Sequence, residues 1–490
     1  MLFPLAFRRI PLYNAIMEIM RQSEVIKLMS TVKAAPTGNK MGTWPIGKLL
    51  VNMALPLVIS MLVQALYNVV DSIYVSRISE SAVTALSLAF PVQNLLIGCA
   101  TGVGVGVNSL LSKSLGEQNA ERANRTAGNG IMLSVLFSAV FVIFGLFFAK
   151  PFFLTQSTIP ETVEGGSIYL AIVTVGSIGI YIEILHERLL QASGNAFLSM
   201  ITQTTGAVLN IILDPILIFG WFGLPAMGIA GAALATVIGQ WCAAILAFFL
   251  NARLNKELSL TRSHLRPDSF VIRTILSIGV PSIIMVGIGS VMNFGINQIL
   301  QGFSETATGV FGIYFKLQSF FFMPLFGINN AVISIVAFNY GARKPQRMMN
   351  TVKLASVVGL AIMLLGLALF QFTPKLLLSI FDPSPEFMHM GIEALRTISW
   401  CFPVAAVCII LGSTFQALGT GIYSTIVSLC RQLIVLLPAA YLLSLSGVVT
   451  RVWWAWPIAE SMGLTMTLIL FLRNYRSRIK PLYETEIPIA

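Results

Sequence analysis

The sequence predicts an all-α membrane protein, with twelve transmembrane helices in two pseudo-symmetric six-helix bundles related by a parallel repeat. Three observations predict it. The 490 residues are 56% hydrophobic and only 10% charged, against about 25% charged in soluble domains. Apolar residues gather in stretches of roughly 20 or more, the length a helix needs to cross the hydrocarbon core. The second half of the chain also repeats the first at a constant offset. Backbone polar groups in a bilayer must be paired within the protein, which leaves helices as the spanning element. The ten-residue alternation of a membrane barrel is absent.

Residues 1–44 read as a basic cytoplasmic arm (Arg8, Arg9, Arg21, Lys27, Lys33, Lys40) without the uninterrupted apolar core of a signal peptide. The segment opening at Met41, MGTWPIGKLL, looks like a natural start, so residues 1–40 are expected to be dispensable. Spans follow near 49–74, 83–111, 127–149, 167–187, 199–219, 227–250, 271–300, 308–338, 352–372, 391–412, 422–445 and 452–472. Residues 45–250 thus form an N-terminal bundle, 251–270 a cytoplasmic linker, 271–475 a C-terminal bundle and 476–490 a cytoplasmic tail. With both ends inside, 24 Lys and Arg fall in inner loops or at inner span ends, while only Arg77, Lys150, Lys375 and Arg451 fall outside. That asymmetry predicts a multi-pass protein of the cell membrane with both termini cytoplasmic.

The net charge of +11 therefore reflects topology. Basic residues flank apolar spans and form no single patch, so no nucleic-acid partner is expected. Five cysteines (Cys99, Cys242, Cys401, Cys408, Cys430) lie within apolar spans without metal-type spacing and read as packing residues.

The repeat has an offset of 225 residues. It aligns Pro56 with Pro281, Asn68 with Asn293, Gln93 with Gln318, Gly102 with Gly327, Gly116 with Gly341, Arg122 with Arg347 and Gly194 with Gly419. Each half holds an even number of spans, so both face the same way, related by a pseudo-two-fold axis along the membrane normal with a substrate path between them. The linker is long enough to join two bundles that rock.

Enzyme motifs are missing. There is no Walker A sequence, no HExxH and no nucleophile elbow, so no enzymatic activity and no cofactor are expected. The GVGVGV run from Gly102 to Val107 lies inside a span and reads as close helix packing. Asn124-Arg125-Thr126 matches a glycosylation sequon but falls on the predicted cytoplasmic face.

Intramembrane charges are the informative residues, because each costs about 2.5–3.5 kcal/mol on insertion scales. Asp71 closes the first span and Asp214 lies in the fifth, at similar depth in the outer half of the N-terminal bundle. Tyr67 and Asn68 lie four and three residues before Asp71, and Asn210 four before Asp214, so each shares a helix face with its acid. Pro215 frees the carbonyl of Ile211 at that level, and Thr236 is a nearby hydroxyl. A proton or sodium ion would find two carboxylates, an amide oxygen and a loose carbonyl. Neither acid recurs at the 225 offset, where Ile296 and Ala439 stand.

In the C-terminal half, Lys316, Arg431 and Glu460 are intramembrane, with Arg396 nearer the outer interface. Glu460 is expected to pair with Lys316 or Arg431, or the bases to act in gating or on substrate. A substrate cavity is expected to draw on Gln64, Tyr67, Asn68, Met292, Lys316 and Arg431. Glu183, His186, Glu187 and Arg188 at the inner end of the fourth span read as a cytoplasmic gate or, by preference, as solvated at the interface. Met292, Phe294, Phe321, Phe322 and Met323 read as core, or in part as the lining of an apolar drug-accepting cavity.

The chain resembles the multidrug and toxic compound extrusion (MATE) family, within the larger group that also holds lipid-linked oligosaccharide flippases. The resemblance rests on ALPLVISMLVQALYNVVDSIYV (54–75), LLQASGN (189–195), LNIILDPILIFG (209–220), FFFMPLFGINNAVISIVAFNYGAR (320–343) and FQALGTG (415–421). It implies a V-shaped pair of bundles exporting cationic, amphipathic compounds by rocker-switch exchange for protons or sodium. It further implies that Asp71, Asp214 and Asn210 carry the coupling ion. One branch of the family also places acids in the seventh and tenth spans. Here the seventh span has none, and Glu393 in the tenth is near the outer end. The expectation is a monomeric secondary transporter of small organic cations in contact with membrane lipid. A flippase for a lipid-linked precursor is the rival, favoured by a large cationic cavity. A channel is the remote alternative, with no selectivity-filter loop visible.

Overall fold

A computed structural model describes residues 39–381 and 384–484, and no strand occurs among them. Ten helices are long and apolar enough to cross a membrane, and two bent pairs complete twelve spans. The first six are Ile46–Ser76, Glu80–Gly116, Ala120–Phe147, Pro160–Val175 with Ile178–Ala192, Ala196–Phe219 and Gly228–Leu254. The last six are Ser269–Gln301, Glu305–Gly341, Pro345–Phe372, Pro385–Ser399 with Phe402–Ala417, Gly421–Ser444, and Ala455–Asn474. Third-span residues Leu136, Val140, Ile143 and Phe147 recur at helical spacing and are exposed, giving an apolar stripe suited to lipid.

The repeat is geometric as well as sequential. The fourth and tenth spans bend by 44° and 47° at equivalent places. A Gly176-Ser177 pair breaks the first, and Pro403, which lacks an amide hydrogen, follows the second break. Ser79 and Ser304 cap the second and eighth spans in the same way, accepting from the amides of Ala82 and Ala307 at 3.1 Å each. Gln118 and Arg343 share φ near +55°, and Gly194 (+87°) and Gly419 (+74°) both lie in the left-handed region. Arg122 Nε donates to Ser114 Oγ at 2.9 Å, and Arg347 Nε to Asn339 Oδ1 at 3.1 Å, again 225 residues apart.

The halves join through reciprocal close approaches. The second span packs on the seventh, where a Cβ at Gly102 or Gly279 would each sit 2.8 Å from the other's carbonyl oxygen. Equivalently, the eighth packs on the first, with Gly327 against the Val58 amide. The second and eighth spans cross at their ends. A Cβ on Gly116 would overlap the Phe338 carbonyl, and one on Gly341 the Lys113 carbonyl. Ser334 Oγ donates to Asn108 Oδ1 at 3.0 Å and Ser109 Oγ to the Gln416 carbonyl at 2.8 Å just behind this crossing. The GVGVGV run serves this packing, since Gly106 lies on the Ile275 carbonyl.

Two expectations change on the linker side. Residues 1–38 lie outside the described residues, but residues 39–44 are built into the fold. Met41 is fully buried. Arg347 donates to the carbonyls of Met41 (3.1 Å) and Trp44 (2.7 Å), and Asn39 Nδ2 donates to Glu257 Oε1 at 3.1 Å. Asn39 and Lys40 are therefore not part of a free arm. The linker is also docked. Asn124 accepts from the Ser259 amide at 2.8 Å, Asn129 accepts from the Asp268 amide at 2.9 Å, and Arg125 pairs with Asp268 at 3.1 Å. Asn124 is buried by this contact, so the sequon is a docking residue.

Candidate functional site

In the N-terminal half the fifth and sixth spans approach closely because Gly239 faces the Gly206 carbonyl, where a Cβ would come within 2.9 Å. One turn along, this closeness brings Asn210 against Thr236. With its amide nitrogen turned to the acid, Asn210 donates to Asp214 Oδ2 at 3.0 Å and accepts from the Thr236 hydroxyl (3.2 Å) and amide (3.0 Å). Asp214 is wholly buried, and its Oδ1 has no protein partner. Asp71, on the first span, is half-buried, and its own Oδ1 is likewise buried and unpartnered. The two carboxylates lie within electrostatic range of each other. The Tyr67 hydroxyl faces Thr236, and Tyr169, whose hydroxyl accepts from Gln93 at 2.9 Å, lies within range of both acids.

The sequence reading placed Asp71, Asn210, Asp214 and Thr236 in one site, and the structure brings all four together. An unpaired buried polar atom costs about 1–3 kcal/mol, and more when charged. Two such oxygens in one cluster leave acceptor capacity that the protein itself does not fill. No group of three or more His, Cys, Asp or Glu arranged for a metal occurs among the described residues.

Beside the cluster lies a cavity of about 640 Å³ between the halves. Gln64, Tyr67, Asn210 and Thr236 line it from one half, and Arg431 lines it from the other. Three expected cavity residues do not line it. Asn68 and Lys316 are both exposed and lie off it. Met292 packs into the large core of the C-terminal half. Phe294 is exposed as well, contrary to its expected core placement. Glu460 resolves its choice of partner, accepting from Arg431 Nη1 at 2.7 Å.

The fourth-span charges are the clearest correction. His186, Glu187 and Arg188 are buried, and Glu183, Glu187 and Arg188 line the cavity. Thr202 donates to Glu187 Oε1 at 3.1 Å, Arg188 Nη1 to Gln191 Oε1 at 2.8 Å, and His186 Nδ1 to the Ile182 carbonyl at 2.8 Å. Gly104, where a Cβ would lie 2.9 Å from Arg188 Cγ, makes room for this side chain inside the bundle. The signal was the spacing. Glu183 and Glu187, four apart, share one helix face, and that face turns to the cavity.

The MatE family model matches residues 56–216 and 281–442, once in each half. A multidrug export protein MepA of Staphylococcus haemolyticus is 25% identical over 430 residues, covering 87% of this chain and 94% of its own. The protein of the same description from Staphylococcus aureus (strain MSSA476) is 24% identical over 435 residues, covering 88% and 95%. Among solved structures, an outward-facing multidrug resistance MATE transporter of the MOP superfamily superposes with a TM-score of 0.85. It has 25% identity and covers 92% of this chain and 100% of its own. A MOP superfamily transporter from Pyrococcus furiosus, described as having a binding pocket of reversed polarity, gives 0.84 at 25% identity, with the same coverage. With two matched halves spanning most of its length, this multi-pass membrane protein belongs to the MatE family.

Proposed function

We propose that this protein is a secondary active transporter of the cell membrane, exporting cationic amphipathic small molecules in exchange for protons or sodium. The observation that carries the reading is the pair of unpartnered carboxylate oxygens, on Asp71 and Asp214, beside a cavity walled by both halves. The names of the relatives, multidrug export proteins, point the same way. With both termini cytoplasmic, the Gly116/Gly341 crossing closes the inner side. An ion entering from outside neutralises the two acids, which titrate as a unit. Neutralisation removes the penalty of burying bare charge and removes the attraction for bound organic cation. The cluster then repacks, the first span moves at Pro56, and the substrate leaves outward. A single chain suffices, since both walls of the cavity come from it.

The flippase reading needs a cationic cavity. Glu183 and Glu187 share the lining with Arg188 and Arg431, Arg431 is paired with Glu460, and Lys316 lies off it. These facts favour a site for cations.

The test is reconstitution into lipid vesicles with proton and sodium gradients imposed separately, following a fluorescent organic cation. Dye movement driven by one gradient supports the reading. Movement that depends on neither, or loss of a cell-wall precursor on deletion of the gene, overturns it.

A further inference from the structure

The eleventh span departs from its repeat partner. Residues Cys430–Leu436 form a π-helical segment, whereas the equivalent positions of the fifth span are α-helical. π turns concentrate at functional sites. This one carries Arg431, whose Nη1 donates to Glu460 Oε1 of the twelfth span at 2.7 Å. At the 225 offset the two charges fall on Gly206 and Ala235, so the fold itself does not require them. Gly463 gives the arginine its course, since a Cβ there would lie 2.9 Å from Arg431 Cδ.

A pair built only for self-neutralisation would meet fork to fork through two parallel hydrogen bonds. Here one bond is made. Glu460 Oε2 and Arg431 Nε are both buried without a partner, so most of the five donors of the guanidinium remain unused. Arg431 lines the cavity, with Ser428, Cys408 and Thr467 around it, and the facing wall carries Glu183 and Glu187 with Arg188 beside them. The cavity thus has on one wall a guanidinium with donors left over after its bond to Glu460, and on the other two acids to one base, and its size suits a drug-sized molecule.

We propose that Arg431 is the subsite for the carboxylate of amphoteric substrates, whose ammonium group faces the acids of the N-terminal half. The inference rests on the cavity being the substrate path. Glu460 orients the guanidinium while the site is empty, and a substrate carboxylate takes the unused donors. A zwitterion brings no net charge into the cavity, so both walls are engaged without an uncompensated ion. A purely cationic substrate uses only the acidic wall.

The experiment compares a xanthene dye ethyl ester, a permanent cation, with the same dye bearing a free carboxylate, a zwitterion at neutral pH. Binding of each to detergent-purified protein is read by fluorescence polarisation. The quantity is the ratio of the two affinities, which a general folding defect does not move. In Arg431→Gln/Glu460→Gln, which leaves no buried charge unpaired, the preference for the free acid over the ester should fall about tenfold or more. In Glu460→Gln alone it should hold or rise, because the competing carboxylate is gone. A ratio unchanged in the double variant overturns the proposal, as does a wild-type protein that binds the ester but not the acid. The second result leaves the cation-export reading intact, whereas wild-type protein that binds neither dye removes both.

Discussion

Replacing Gly116 and Gly341 with alanine should drive the inner crossing apart. A Cβ on Gly116 would sit 2.9 Å from the Ala342 amide nitrogen and closer still to the Phe338 carbonyl. On Gly341 it would sit 3.1 Å from the Glu117 nitrogen and closer to the Lys113 carbonyl. The obstructing atoms are backbone, so no side chain can turn away, and the helices must separate by about 1 Å or more to bring the Phe338 and Lys113 carbonyl oxygens to ordinary contact. Overpacking of this kind costs about 1–3 kcal/mol. The cost falls only on the conformation in which the crossing is closed, so one substitution shifts the population toward an open inner side by roughly 5- to 150-fold. The second should add less than the first, because both relieve the same contact. Spin labels on Ala120→Cys and Gln346→Cys, which are exposed on either side of the crossing, would report the separation by electron–electron double resonance. Gly287→Ala is the control, since nothing lies within 4 Å of its Cβ position. Unchanged distance distributions in Gly116→Ala and Gly341→Ala would refute the view that this crossing seals one face.

Arg347→Ala removes the hydrogen bonds to the Met41 and Trp44 carbonyls and to Asn339 Oδ1. Unfolding in detergent should then fall short of wild type by about 2–4 kcal/mol, with residues 39–44 newly accessible to protease. The linker should respond to acid. Backbone amides of Val271 and Phe270, with Arg125, hold the Asp268 carboxyl below its ordinary value of 3.8. A depressed carboxylate stabilises above the unfolded value and loses that contribution as pH falls through the folded one. Hydrogen exchange of residues 259–268 should therefore rise below pH 3.8, and Asp268→Ala should show the fast exchange already at pH 5. Glu187→Gln keeps the bond from Thr202 but removes a charge from the cavity wall. Its affinity for an organic cation should drop about tenfold, read by fluorescence polarisation, with protein yield unaffected.

Much of the architecture was legible because the bilayer leaves few options. Runs of apolar residues could only be spans, and the 225-residue offset announced two like halves, within which the structure adds pairs such as the Ser79 and Ser304 caps. Asp71 and Asp214 stood out because a charge in mid-span is costly unless it has a task. Helical spacing placed Tyr67 and Asn210 beside them. The same spacing misled for Asn68, because sharing a helix face with Asp71 does not decide which edge of that face turns to the cavity. Lys316 and Met292 could not be placed, since whether a span residue faces lipid, core or cavity depends on helix rotation. Glu183, Glu187 and Arg188 were read as interfacial from their position at a span end. The pocket opened by Gly104 and the bend at Gly176-Ser177 instead hold them inside. Residues 39–44 carry too little apolar length to announce burial, which contacts from distant residues, Asn339, Lys344 and Arg347 among them, explain.

The most direct test of the central claim is to count ions displaced when substrate binds. Calorimetric titration of purified protein with an organic cation, in buffers of different ionisation heat and with or without sodium, separates the two coupling ions. The account predicts that binding either releases a proton, so the heat varies with buffer, or competes with sodium. It predicts further that either signature disappears in Asp71→Asn and Asp214→Asn. Binding heat that is independent of both buffer and sodium in the wild type, or that keeps its dependence in both variants, would contradict it.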